Sequence, residues 1–294
     1  MEIYQPNSFL EHYPKLSESV VAIVSNISRN SDFPEIIGTG FVVREDGIIM
    51  TCQHVIEAFK EIPRRKGASD DEWPASVLMF KKIDGKGVAV VPMAVKGAFL
   101  IKNFKPGANY YGQKIPDVGF LRVNYKGLTP HKILFGKEFK EGEILHYSGF
   151  DLGTTALRNI EGHIHQLRPI LKQGMVSAVL PFPCSDPHLI LLDSLSLGGV
   201  SGGPVFADNG MVVGMITSGF DDTKLTYAIP ANFLSEALAN VKDASGFQDH
   251  RIEQIELEDW VKKQLEEGKV VTIKPKDPQI TMKPLSPDQI EIPK

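Results

Sequence analysis

The stretch Leu197-Gly198-Gly199-Val200-Ser201-Gly202-Gly203-Pro204 offers the richest chemistry in the chain. A serine hydroxyl attacks a carbonyl only when a base takes its proton and donors receive the oxyanion that forms. Glycines around Ser201 let backbone N–H groups turn toward an attacked carbonyl, because no Cβ stands in the way. Taken alone, the stretch also reads as a plain glycine-rich turn. It satisfies G-x-S-x-G as well, the nucleophile elbow that requires a strand before the serine and a helix after it. Here Val205-Phe206-Ala207, an Asp208-Asn209-Gly210 turn and Met211–Thr217 follow, which predicts a hairpin in place of the helix. An elbow of that kind also draws its acid and histidine from downstream, and only His250 lies beyond Ser201, in a polar context.

The opposite order, histidine then acid then serine, fits better. His54 follows an apolar run and sits in Thr51-Cys52-Gln53-His54-Val55, while Asp117 opens Asp117-Val118-Gly119-Phe120-Leu121, an acid at the mouth of a buried strand. A carboxylate so placed accepts a hydrogen bond from an imidazole N–H, holds the ring in one tautomer and stabilises the imidazolium when it forms. Singly, a structural histidine and a strand-start aspartate are the plainer readings. All three in order, each in a fitting strand context, outweigh those single readings.

The elements that would position them are mostly strands. Ser19–Asn26 is short, apolar and β-branched, and predicts a buried strand. Gly38-Thr39-Gly40 leads into Phe41-Val42-Val43, and Glu45-Asp46-Gly47 signals a tight turn before Ile48-Ile49-Met50-Thr51, so a hairpin ends just before His54. Val55–Lys60 suits a short helix, Ile62–Trp73 a charged loop, and Ala75–Lys82, Gly87–Val95 and Asp117–Asn124 three strands, the last reached through a loop over 102–116. Strand signals punctuated by glycine run from Glu143 to Ile229. Many short strands with frequent turns argue for barrels or sandwiches and against a parallel α/β sheet. After Pro230, Ala231–Val241 has helical apolar spacing, a second helix is predicted over Ile252–Glu266, and Lys269–Lys294, with five prolines, reads as an extended tail.

Composition sets the remaining bounds. A length of 294 residues suits one large or two smaller domains, and 42% hydrophobic with 23% charged residues is ordinary globular usage. A net charge of -4 argues against a general phosphate-backbone binder, so no nucleic-acid partner is expected. Cys52 and Cys184 are too few for a disulfide framework and are expected reduced. The first residues carry acids, a proline and no long apolar run, which predicts neither a leader nor a membrane anchor, and a cytoplasmic protein. No cofactor and no metal are expected. His163-x-His165 lacks a third ligand, Cys184, Asp186 and His188 sit in a proline-rich loop, and Cys52 reads as a packed residue more than a reactive thiol.

With these residues in view the chain resembles the trypsin-like serine peptidases, most closely their HtrA/Deg-like branch. Ile37-Gly38-Thr39-Gly40-Phe41-Val42-Val43 resembles the family's G-S-G-F-V/I strand, Cys52-Gln53-His54-Val55 its histidine motif, and Asp117-Val118-Gly119-Phe120-Leu121 its D-[IL]-A-[VL]-[IL] motif. Gly174-Met175-Val176-Ser177, the spacing of Asp193 before the serine, and Tyr227-Ala228-Ile229-Pro230 complete a match over residues 17–241. The resemblance implies an all-β fold of two antiparallel six-stranded β-barrels of the chymotrypsin type with a C-terminal helix and tail. The expected division is an N-terminal extension (1–16), barrels over 17–125 and 126–247, and a helix with a proline-rich tail (248–294).

The resemblance further implies a serine endopeptidase working through an acyl-enzyme on Ser201, with His54 as general base and acid, Asp117 orienting it, and an oxyanion hole from the N–H groups of Gly199 and Ser201. The primary pocket would be lined by Leu195, Ser196, Thr217, Ser218, Gly219 and Leu225, with Gly219 pairing with the substrate backbone as an added strand. With no acid at Leu195, and with Asp221 and Asp222 placed at a loop tip, a small or medium apolar residue before the cut is expected. Val200 departs from the pattern: the branch has Asn there and the digestive enzymes Asp. Activation by a newly cut N-terminus is therefore not expected, activation by a partner that orders the loop is one route, and what holds the loop is open. No PDZ domain is expected after Val241. The substrate is a protein or peptide, the tail could engage a protein partner, and the alternative function is a catalytically silent module that binds such a partner.

Overall fold

The computed structural model describes residues 8–26, 35–63, 67, 69, 72–85, 87–105, 115–151, 153, 159–160, 163–164, 168–184, 186–219, 223–241 and 252–269. The chain enters through a helix, α1 (Ser8–Leu16), and a short 3₁₀ turn (Ser17–Ser19). Six strands follow: β1 (Val20–Ser25), β2 (Ile36–Arg44), β3 (Ile48–Thr51), β4 (Ala75–Ile83), β5 (Gly87–Leu100) and β6 (Gly119–Val123). They close antiparallel into a barrel in the order β1-β2-β3-β6-β5-β4. Every residue of β1, β3 and β6 is buried, which suits their unbroken apolar runs. Between β3 and β6 lies a short helix, α2 (Gln53–Glu57), continued by a 3₁₀ turn over Ala58–Glu61.

After β7 (Tyr125–Lys126), the second barrel uses β8 (Ile144–Gly149), β11 (Ile170–Leu180), β12 (Leu189–Asp193), β13 (Pro204–Phe206), β14 (Val212–Gly219) and β15 (Leu225–Pro230). A small pair, β9 (Asn159–Ile160) and β10 (His163–Ile164), sits between β8 and β11. The barrel order, β11-β12-β15-β14-β13-β8, repeats the succession of the first barrel. The fold is thus the double barrel of chymotrypsin type that the sequence predicts, closed by α3 (Ala231–Val241).

One core cluster fills the first barrel and runs on into Phe206, Val212, Met215 and Ile229 of the second, so apolar packing continues across the barrel junction. A second cluster, with Leu145, Tyr147, Val205 and Ile216, fills the other barrel and includes Val200.

Three elements differ most from the sequence reading, the first being β5, which runs on to Leu100 where the sequence predicts an end at Val95. The 1–16 segment contributes α1, whose Phe9 is fully buried and stacks on His146 with ring centroids 4.4 Å apart. The last helix, α4 (Leu257–Glu266), starts later than predicted. Ile255 and Glu256 form β16 instead, parallel to β7, with the Ile255 N–H donating to Asn124 O. The His163 side chain, and His165, Asp221, Asp222, His250 and the tail over 270–294, lie outside the described residues.

Candidate active site

The site forms at the junction of the barrels. Strands β3 and β6 pair with Thr51 opposite Gly119. In an antiparallel pair, the residues after Thr51 and those before Gly119 leave by the same end, which brings His54 to Asp117. His54 stands in the first turn of α2. Its Nδ1 lies 2.7 Å from Asp117 Oδ2, and its backbone N–H donates to Asp117 Oδ1 at 3.0 Å. Both carboxylate oxygens thus grip one residue and fix ring and backbone together. The ring is half exposed, while the carboxylate is 15% exposed.

A third donor comes from the other barrel: Thr217 Oγ1 donates to Asp117 Oδ2 at 2.5 Å. The register of β14 against β15 slips between Ile216 and Ser218, so Thr217 is the extra residue of a β-bulge, which re-aims its side chain. The sequence reading places Thr217 in the pocket wall; here it is buried with its hydroxyl committed to the acid. Burial alone would push the Asp117 carboxyl up. The His54 hydrogen bond and charge, the Thr217 hydroxyl and the His54 amide outweigh it, and the carboxyl titrates below its ordinary value.

Ser201 sits on a tight turn before β13. Gly202 has φ +89°, and a Cβ there would overlap Thr39 O, so only glycine lets the chain turn this closely against the first barrel. The Gly202 N–H donates to Ile216 O at 2.8 Å. Among the described residues, the N–H groups of Gly199 and Ser201 have no acceptor and the Ser201 hydroxyl makes no hydrogen bond to His54. Gly199, at φ +103°, would drive a Cβ into Phe150 O.

The pocket residues come together only in part. Tyr147 OH and Lys172 Nζ both donate to Leu195 O, and the Leu197 N–H donates to Asp151 Oδ1 at 2.6 Å. Lys172 also contacts Asp151 Oδ2. A Cβ added at Gly219 would stand 2.5 Å from Ser196 Oγ and 3.6 Å from Leu225 O, so Ser196, Gly219 and Leu225 face one another closely. The Leu195 and Ser218 side chains are exposed.

Among the described residues, Cys52, His54 and Asp117 form the cluster able to approach a metal. Its atoms are already committed. Nδ1 and Oδ2 bind each other, and Cys52 Sγ–H donates to Ile216 O at 3.2 Å. Burial, then the Asp117 charge, pushes the Cys52 thiol well up, against the thiolate a metal needs. Cys52 and Cys184 are unpaired. Asp186 accepts from Asn232 Nδ2.

The model of the trypsin-like peptidase domain family matches residues 38–215, a span that contains His54, Asp117 and Ser201. The chain belongs to the trypsin-like peptidase family. As a member, it has a protein or peptide as its substrate class. Among solved structures, a serine endoprotease from Yersinia pestis aligns with 84% of this chain and 69% of its own, at 18% identity and a TM-score of 0.49. The inactive form of Rv3671c from M. tuberculosis, a serine-to-alanine mutant, aligns with 82% of this chain and 93% of its own, at 17% identity and a TM-score of 0.48. No curated protein matches the chain in sequence. Among the described residues, no helix of this trypsin-like peptidase is long and apolar enough to cross a membrane.

Proposed function

We propose that this chain is a serine endopeptidase in which Ser201 is the nucleophile, His54 the base and then the acid, and Asp117 the residue that orients the histidine. Ser201 Oγ attacks the peptide carbonyl carbon while its proton passes to His54 Nε2. The oxyanion is received by the N–H groups of Gly199 and Ser201. The tetrahedral intermediate collapses, the C–N bond breaks, and the leaving amine takes the proton from His54. Water, deprotonated by His54, then opens the acyl-enzyme and restores the serine. The observation that carries this reading is the two-point grip of Asp117 on His54, beside two backbone amides with no acceptor among the described residues.

The close approach of Ser196 to Gly219 supports a small apolar residue before the cut, at the lower end of the small-to-medium range. Incubation with a peptide library tests both parts. We expect cleavage after small apolar residues, lost in Ser201→Ala. A profile dominated by Arg or Lys would overturn the specificity. Binding without cleavage would favour a silent peptidase-fold module. The one observation on that module's side is the absence of a Ser201–His54 hydrogen bond at rest, a contact that in many enzymes tightens only with substrate bound. The same proposal divides the chain at residues 16, 125 and 247, assigns the tail to a protein partner, and on the two unpaired cysteines sets the protein in the cytoplasm.

A further inference from the structure

Residues 198–203 around Ser201 carry no charged side chain, and the charged contact nearest to them, Asp151 Oδ1 accepting the Leu197 N–H at 2.6 Å, lies before the glycines. Val200, where a tether would stand, is 3% exposed and packed in the core of the second barrel. The carbonyls of this loop are held instead. Val200 O accepts the Gly203 N–H at 2.8 Å, Gly199 O accepts Thr39 Oγ1 at 2.6 Å, and Ser201 O accepts the Thr39 N–H at 2.8 Å. In a trans peptide the N–H points opposite the C=O, so holding Val200 O against the Gly203 N–H aims the Ser201 N–H away from Gly203. Two of these three bonds come from one residue of the other barrel.

Thr39 has no alternative use for its hydroxyl proton. The side chain is fully buried, and its oxygen already accepts the Phe150 N–H at 3.0 Å, so the proton is directed to Gly199 O. Its own carbonyl accepts Thr51 Oγ1 at 2.7 Å, which fastens it to the strand that leads to His54. One residue of β2 therefore links the strand that ends at the base to the loop that carries the nucleophile.

We propose that Thr39 is a positioning residue: its hydroxyl holds the Gly199–Ser201 loop in the oxyanion-accepting form at rest, without a newly cut N-terminus or a partner. This rests on the peptidase reading above. Without the hydroxyl, Gly199 O and the Phe150 N–H lose their partner together. The Gly199–Val200 peptide is then released at its carbonyl, and the adjoining Gly198–Gly199 peptide, free of side chains, follows at little cost and withdraws the Gly199 N–H.

The test is the rate at which a fluorophosphonate modifies the protein, with the maximal rate and the probe's apparent affinity measured separately. In that reaction Ser201 Oγ displaces fluoride from phosphorus, its proton passes to His54, and the phosphoryl oxygen occupies the hole. For Thr39→Val we expect the maximal rate to fall about tenfold to a hundredfold with affinity held within about twofold. Thr39→Ser should stay near wild type and Thr39→Ala should fall with Thr39→Val. If Thr39→Val does not fold, the Ser and Ala pair, differing by the hydroxyl alone, decides the matter. Equal rates for Ser and Ala overturn the role of the hydroxyl. A wild-type protein that is not modified at all overturns the peptidase reading, and this inference with it, before any variant is made.

Discussion

Asp117 makes the most specific demand on a single side chain. Its two oxygens accept from the His54 backbone, the His54 ring and Thr217, so the site needs an acceptor at every position. Asp117→Asn keeps the shape but presents one N–H₂ where an acceptor is required, which turns the imidazole to the wrong tautomer. We expect reactivity to fall about ten-thousandfold with the fold intact, as read by turnover and by the thermal midpoint. A loss under about tenfold would show that Asp117 does not orient the base. The candidates Ser201, His54 and Asp117 could be singled out in the sequence because each lies in a short motif with its own strand context. Thr217's bond to Asp117 was not legible, because it spans 100 positions in sequence and depends on a β-bulge. Thr39 was visible only as the middle of Gly38-Thr39-Gly40; its partner, Gly199, is 160 positions away.

Among the elements, α1 is the one whose packing composition does not announce. It is short and contains Pro14, both of which argue against a helix from propensity alone. What holds it is tertiary. Phe9 stacks on His146 and approaches Phe206 at 5.6 Å, and Tyr13 OH hydrogen-bonds Ser148 Oγ at 2.8 Å. Phe9→Ala should cost about 3–5 kcal/mol of stability, measured by denaturant unfolding. A cost below about 1 kcal/mol would mean that the helix is dispensable packing. The barrel strands, by contrast, were legible from β-branched apolar runs, turn signals and glycine punctuation. The late start of α4 was not: Ile255 and Glu256 fit the apolar spacing of a helix, but pairing with β7 takes them into an extended form.

At the scale of the whole molecule, the junction of the barrels carries both the site and a buried titratable group. His131 lies in the connection between barrels, its ring against Phe41 of the first and Phe206 of the second. Burial lowers its pKa to about 4, the hydrogen bond to the Ser19 backbone opposing only in part. The unfolded chain therefore takes up a proton that the folded one refuses between the ordinary histidine value of 6.5 and about 4. The stability that follows is fully present above that window and is lost as pH falls through it, by about 3 kcal/mol from this group. Urea midpoints at pH 7 and pH 5 should differ in the wild type and differ less in His131→Phe. An equal drop in both would assign the acid sensitivity elsewhere.

An active peptidase reacts at Ser201 in its resting state, and a silent module does not. Intact-mass measurement after fluorophosphonate treatment, with peptide mapping of the adduct, decides between them. We predict a single adduct on Ser201, absent in Ser201→Ala and strongly slowed in Asp117→Asn. A wild-type protein that remains unmodified, or an adduct that persists in Ser201→Ala, would contradict it.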